Sequence, residues 1–196
     1  IWFDNAGVLH SRTTRDAVLP APVIQGRVEK LLAQWPLDGN YVDAGPFHHH
    51  ATVRGTPTFV TGADGSPGAA AVIDPANGWA TAGEWNPSLH TGALSASFWL
   101  KWSGLNGTWQ TFLAKRDGDF AWENVAWQIC TDENTDNLWF QSPAGLVAAE
   151  NALIPGEWMH IAVTFDGARA RIYVNGTVLQ EGDWQLGGSL DAIITL

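Results

Sequence analysis

Hydrolysis of a glycosidic bond takes two carboxylates flanking the scissile bond. On a β-strand two side chains share a face only at an even spacing. The chain holds twenty Asp and Glu, yet no apolar run carries such a pair: Asp117, Asp119 and Glu123 straddle a glycine-containing turn, and Asp132-Glu133-Asn134 reads as a loop. His48-His49-His50 places His48 and His50 on one face of an extended segment, where they could ligate a metal. No cysteine or carboxylate pair stands nearby to complete a zinc set, and surface hydrogen bonding is the other reading. Cys130 is the only cysteine; it lies in an apolar alternation and reads as an inert core thiol, and no intramolecular disulfide can form. Twelve tryptophans are the compositional oddity. Such rings fill cores, but exposed ones also stack on sugar faces. Asn106-Gly107-Thr108 and Asn175-Gly176-Thr177 are glycosylation sequons, and Asn-Gly turns explain both equally well.

The elements that must position these residues are short. Twenty-one Gly and ten Pro punctuate apolar runs throughout 196 residues, which points to one all-β domain rich in turns, plus an arm. The net charge of −10 repels nucleic acid and anionic membrane surfaces, and excludes both as partners. The same surplus of carboxylates suits a hard cation such as calcium. No apolar run reaches the length of a membrane span. The chain starts at Ile1 and its only methionine is Met159, which reads as a processed product or a fragment, its signal peptide already removed.

Residues 1–33 read as an extended N-terminal arm. Pro20 and Pro22 exclude a helix or central strand there, and leave Val18, Leu19, Val23, Ile24 and Val28 as apolar residues outside the domain. From residue 34 onward strands follow one another at sandwich spacing. They include Leu94 to Trp102, Trp109 to Lys115, Ala121 to Cys130, Asn137 to Gln141, Trp158 to Phe165 and Arg169 to Val174. Asp166-Gly167-Ala168 between the last two is a strong hairpin signal, and Asn175-Gly176 turns the chain again.

Residues 156–176, GEWMHIAVTFDGARARIYVNG, resemble the signature hairpin of laminin-G-like domains in the concanavalin A-like superfamily. Gln34 to Asn40, Phe47 to Val53 and Ser97 to Lys101 resemble three further ordered motifs of that family. Over residues 34–196 the resemblance implies a two-sheet antiparallel jelly-roll sandwich, with Trp99 and Trp158 in core positions and His160 as a hydrogen-bonded structural group. Two departures stand out. Asp74-Pro75 replaces the family's usual Asp-Gly, and residues 190–196 read as the strand before the family's last one, so that the final strand is absent.

The resemblance also implies functions. Hydrolases of the superfamily carry acidic strand motifs that this chain lacks, and Gln128-Ile129-Cys130 resembles a polysaccharide-lyase motif whose essential His is replaced by Cys, so the domain reads as non-catalytic. Relatives hold a structural calcium near the sandwich rim, for which Asp38, Asn40, Asp43 and Asp74 are the candidate oxygen ligands; turn formation is their alternative role. Trp79, Trp85, Trp109, Trp122 and Trp184, near loops or strand ends, are the glycan-stacking candidates. Two functions follow, both extracellular or at the cell surface. In one, the arm completes the open sheet of a neighbouring copy, head to tail, and builds a fibre. In the other, the domain is a carbohydrate-binding module of a larger secreted protein.

Overall fold

The computed structural model describes the backbone of residues 2–3 and 9–10, and residues 31–73, 78–89, 91–116, 122–188 and 192–196 in full. The arm residues Val18, Leu19, Val23, Ile24 and Val28, and the candidate ligand Asp74, lie outside the described residues. Among those described, helix is limited to a 3-10 turn at Trp122–Asn124. Every strand pair is antiparallel, as the turn spacing predicts.

Two small hairpins stand apart: β1 (Trp2–Phe3) with β2 (Leu9–His10), and β4 (Thr58–Val60) with β5 (Ala70–Val72). The sandwich itself has two sheets. The larger runs in the order β11 (Gly145–Ala149), β10 (Leu138–Ser142), β9 (Val125–Thr131), β8 (Gln110–Arg116), β15 (Ile193–Thr195), β6 (Gly78–Thr81), β3 (Thr52–Gly55). The smaller runs β14 (Thr177–Asp183), β13 (Arg169–Val174), β12 (Trp158–Phe165), β7 (Leu94–Lys101).

Period-two alternation sends one face of each sheet inward. Met159, Ile161, Val163 and Phe165 of β12 and Ile172 of β13 meet Ile129, Leu138, Phe140, Val147 and Ile194 from the larger sheet. Each such large side chain, fully buried, contributes roughly 1.5–3 kcal/mol. The β12–β13 turn is closed by Asp166, whose Oδ1 accepts the N–H groups of Ala168 and Arg169. The β13–β14 turn has Asn175 and Gly176 both at positive φ, 50° and 81°, the conformation that matches strand twist in a two-residue hairpin.

Two expectations are corrected here. Trp99 is not in the core: on β7 the inward residues are Phe98 and Leu100, and Trp99 points out, 51% exposed, against the edge of the His160 ring. Trp158 is outside the core as well: it is half-buried on the outward row of β12, opposite Lys101. Ile193–Thr195 pairs with β8 on one side and β6 on the other. The larger sheet is therefore hydrogen-bonded from β11 to β3 with no empty seat between its edges. Buried Lys115 assists this insertion by donating to the carbonyl of Ala192, at the entry to β15. No helix among the described residues is long and apolar enough to cross a membrane.

Candidate functional site

The outer face of the larger sheet is the one that Phe140, Ile129, Ile194 and Ala80 do not occupy. The registers align one residue from each strand across it: Leu146, Gln141, Gln128, Ala114, Thr195, Thr81 and Thr52 are successive partners. The result is a band of amides, hydroxyls and small side chains perpendicular to the strands. Beside it runs a second row with Trp139, Cys130 and Thr111, which are partners in turn. Strands β10 and β6 point the same way, so Trp139 and Trp79, each two residues before the band, stand on the same side of it. Four strand spacings separate them, roughly 19 Å.

Trp109 precedes β8 and meets Trp139 edge to face, with centroids 5.1 Å apart and planes at 81°. Trp109 is 49% exposed and Trp79 40%. The indole Nε1 of Trp139 is buried without a hydrogen-bond partner. Between these rings the floor is held fixed. Gln128 accepts from Arg116 Nη1 at 3.1 Å, and the amides of Gln128 and Gln141 both donate to Cys130 Sγ, at 3.6 and 3.0 Å. Burial pushes the Cys130 thiol up to about 12, despite those amide donors, so it stays protonated and unreactive. The seven strands of this sheet contain no Asp or Glu on either face. Ala114, Gln128, Cys130 and Gln141 in the middle of this face are buried, so what it offers a ligand is the exposed rings of Trp79 and Trp109 and the accessible Thr52.

The other tryptophan candidates fall elsewhere. Trp184 is a core ring, 2% exposed, stacked on Phe140 at 4.4 Å with the edge of Phe165 at 4.8 Å, so it has no free face for a sugar. Trp85 donates its Nε1 to the carbonyl of Ala82, and one face is covered by His49 at 4.1 Å and 6°. Trp122 is exposed but lies before β9, at the opposite end of β8 and β9 from Trp109. Of the five, Trp79 and Trp109 share the outer face.

The calcium candidates are separated in the same way. Asp43 is buried and committed to N–H donors: Gln34 and Gly45 donate to Oδ1 and His49 to Oδ2, all at 2.7 Å. Burial alone would raise its carboxyl, but these donors more than offset that and hold it below the usual carboxylate range. It serves as the hub of this loop. Asn40 closes its own turn, accepting from Val42 N–H and donating to the Asp38 carbonyl. Asp38 is exposed in an open depression of about 670 Å³ shared with Asp64. Among the described residues no group of three or more His, Cys, Asp or Glu could hold a metal ion. The three successive histidines serve the same loop: His50 Nδ1 accepts the N–H of Asp43, and the His49 carbonyl accepts from Trp35 Nε1.

A rim cleft of about 600 Å³ between the loops after β7, β9 and β11 carries Asp136 and Glu150. No hydrogen bond among the described residues holds either carboxylate in place.

Sequence reasoning found Trp79 and Trp109 but missed Trp139, Gln141 and Arg116. The signal was present in the alternation Trp139-Phe140-Gln141 and Gln128-Ile129-Cys130, where polar or tryptophan side chains take one face and Phe140 and Ile129 the other.

A family model described as the concanavalin A-like lectin/glucanases superfamily (laminin G type) matches residues 74–187. Among solved structures, the chain is similar to domain 4 of AbnA, a GH43 extracellular arabinanase from Geobacillus stearothermophilus, in complex with arabinotriose. The identity is 22%, the match covers 85% of this chain and 82% of that one, and the TM-score is 0.61. No curated protein matches the sequence.

Proposed function

The chain belongs to the concanavalin A-like lectin/glucanase superfamily, and from that premise we propose that it is a non-catalytic glycan-binding module of an extracellular protein. The observation that carries this reading is the outer face of the larger sheet. Exposed Trp79 and Trp109 stand at the two ends of a band whose central residues Ala114, Gln128 and Gln141 are buried, and none of the seven strands carries a carboxylate. A sugar presents apolar C–H faces to such exposed aromatic rings. A chain laid along the band would cross the strands and touch both aromatic ends at once. The similar fold of an arabinanase domain seen with arabinotriose supports the reading.

Titration calorimetry with a panel of oligosaccharides, run alongside Trp79→Ala and Trp109→Ala, tests it. Each substitution should weaken binding by about fivefold, the equivalent of ~1 kcal/mol of aromatic contact. No reducing ends should be released from the ligand. Binding unaltered in both variants, or turnover, would overturn the proposal.

A further inference from the structure

We propose that the glycan held on this face is acidic, and that Arg54 pairs with its carboxylate or sulfate ester while the sugar ring lies on Trp79. The inference rests on the glycan-binding reading above and adds the charge class of the ligand.

Arg54 of β3 is the direct cross-strand partner of Trp79 of β6, on the outer face. Opposed side chains in such a pair stand roughly 5 Å apart at Cβ. Both are exposed, so ring and guanidinium form one continuous surface at the β3 end of the band. Arg54 has no hydrogen bond or ion pair among the described residues. The arginines of the opposite sheet are treated differently. Arg169 bonds Glu181 at 3.1 Å and lies 3.6 Å from Asp183, and Arg171 bonds Glu181 at 2.9 Å and Asp166 at 3.4 Å. Around Arg169 and Arg171 this acid-rich chain places carboxylates. At Arg54 it places a tryptophan and threonines instead. The other two cations of the larger sheet are engaged, Lys115 with the Ala192 carbonyl and Arg116 with Gln128.

A planar guanidinium matches the geometry of a carboxylate or sulfate oxygen pair. The net charge of −10 opposes an anionic ligand, but exposed charges are largely screened beyond about 8 Å at physiological salt, and the strands around this face bear no acid.

The test is calorimetry with three oligosaccharides of matched length: an oligogalacturonate, a sulfated galactan fragment and a neutral galactan fragment. At low salt at least one acidic ligand should bind about fivefold tighter than the neutral one, the size of an exposed ion pair. The advantage should vanish at high salt and in Arg54→Gln, whereas Lys101→Gln, on the edge strand of the other sheet, should retain it. The arm that keeps the advantage tells carboxylate from sulfate. Equal affinity for neutral and acidic ligands would overturn the inference and leave the glycan-binding reading standing. An acidic preference that survives in Arg54→Gln would overturn the role of Arg54. Binding of none of the three, nor of any glycan in the wider panel, would overturn both.

Discussion

Trp184 and Trp122 look alike in the sequence, each beside an acidic residue at the end of a strand-like run, and the structure gives them opposite roles. Trp184 fills the core between Phe140 and Phe165, and Trp122 is half in solvent. Trp184→Ala should cost about 3–5 kcal/mol, and Trp122→Ala no more than about 0.5 kcal/mol; urea unfolding midpoints of the two variants measure the contrast. What separates them is the residue across the sandwich, and no local pattern encodes that. Asp43 teaches the same lesson among carboxylates. From sequence it is one of four oxygen donors near a turn, but in the structure three backbone N–H groups converge on it. Asp43→Asn keeps the size and turns one acceptor into a donor facing a donor, so it should destabilise by about 2 kcal/mol. Thermal melts in excess chelator complement it: a carboxylate used by N–H donors gives a melting temperature that chelation leaves unchanged.

At the scale of elements, the legible parts are those whose partners are near in sequence. The β12–β13–β14 meander follows from alternation plus Asp-Gly and Asn-Gly, though a bulge shifts the β13–β14 register between Ile172 and Tyr173, which no turn signal encodes. Asn175 closes this unit twice over: its Oδ1 accepts the N–H of His160 at 2.9 Å and its own N–H donates to the His160 carbonyl at 2.8 Å. Asn175→Ala loses the side-chain bond and places a Cβ residue less suited to left-handed φ in the turn. About 2 kcal/mol should be lost, seen as a lower denaturation midpoint with unchanged slope. β15 was legible as a strand within residues 190–196, but its seat was not. Three residues show no alternation of their own, and their seat between β8 and β6 is set by pairing with strands some eighty and more than a hundred residues earlier, including Ile194 with Lys115 and Thr195 with Thr81. On β7 the strand was clear but its inward face was not, because Phe98 and Trp99 offer large rings to both sides; burial of Phe98 and Leu100 against the core decides it.

For the whole molecule, the shifted groups set how stability varies with pH. His160 is buried on β12, and burial lowers its pKa, so the folded chain holds it neutral where the unfolded chain would begin to protonate. Its contribution is therefore complete above the unfolded value of roughly 6.5 and is lost as pH falls through that value toward the lower folded one. Asp43 and Asp132 are shifted in a way that acts at lower pH. Burial would raise Asp132, but the Thr135 hydroxyl and the Asn134 and Thr135 amides outweigh it, as the loop amides do for Asp43. Their folded pKa values lie below the unfolded carboxylate value of roughly 3.9, so their contribution is complete above it and is lost as pH falls below it. The expected profile is a plateau at neutral pH, a first decline below about 6.5 and a second below about 4. Melting temperatures followed by near-ultraviolet circular dichroism, to which the many tryptophans contribute, would trace both stages. His160→Gln removes the titrating group and should flatten the upper stage while leaving the lower one; an upper stage that survives unchanged in that variant would assign it to another histidine. Because the seven strands of the larger sheet contain no Asp, Glu or His, glycan binding should hold its affinity across the upper stage, down to the pH at which the sandwich itself begins to unfold.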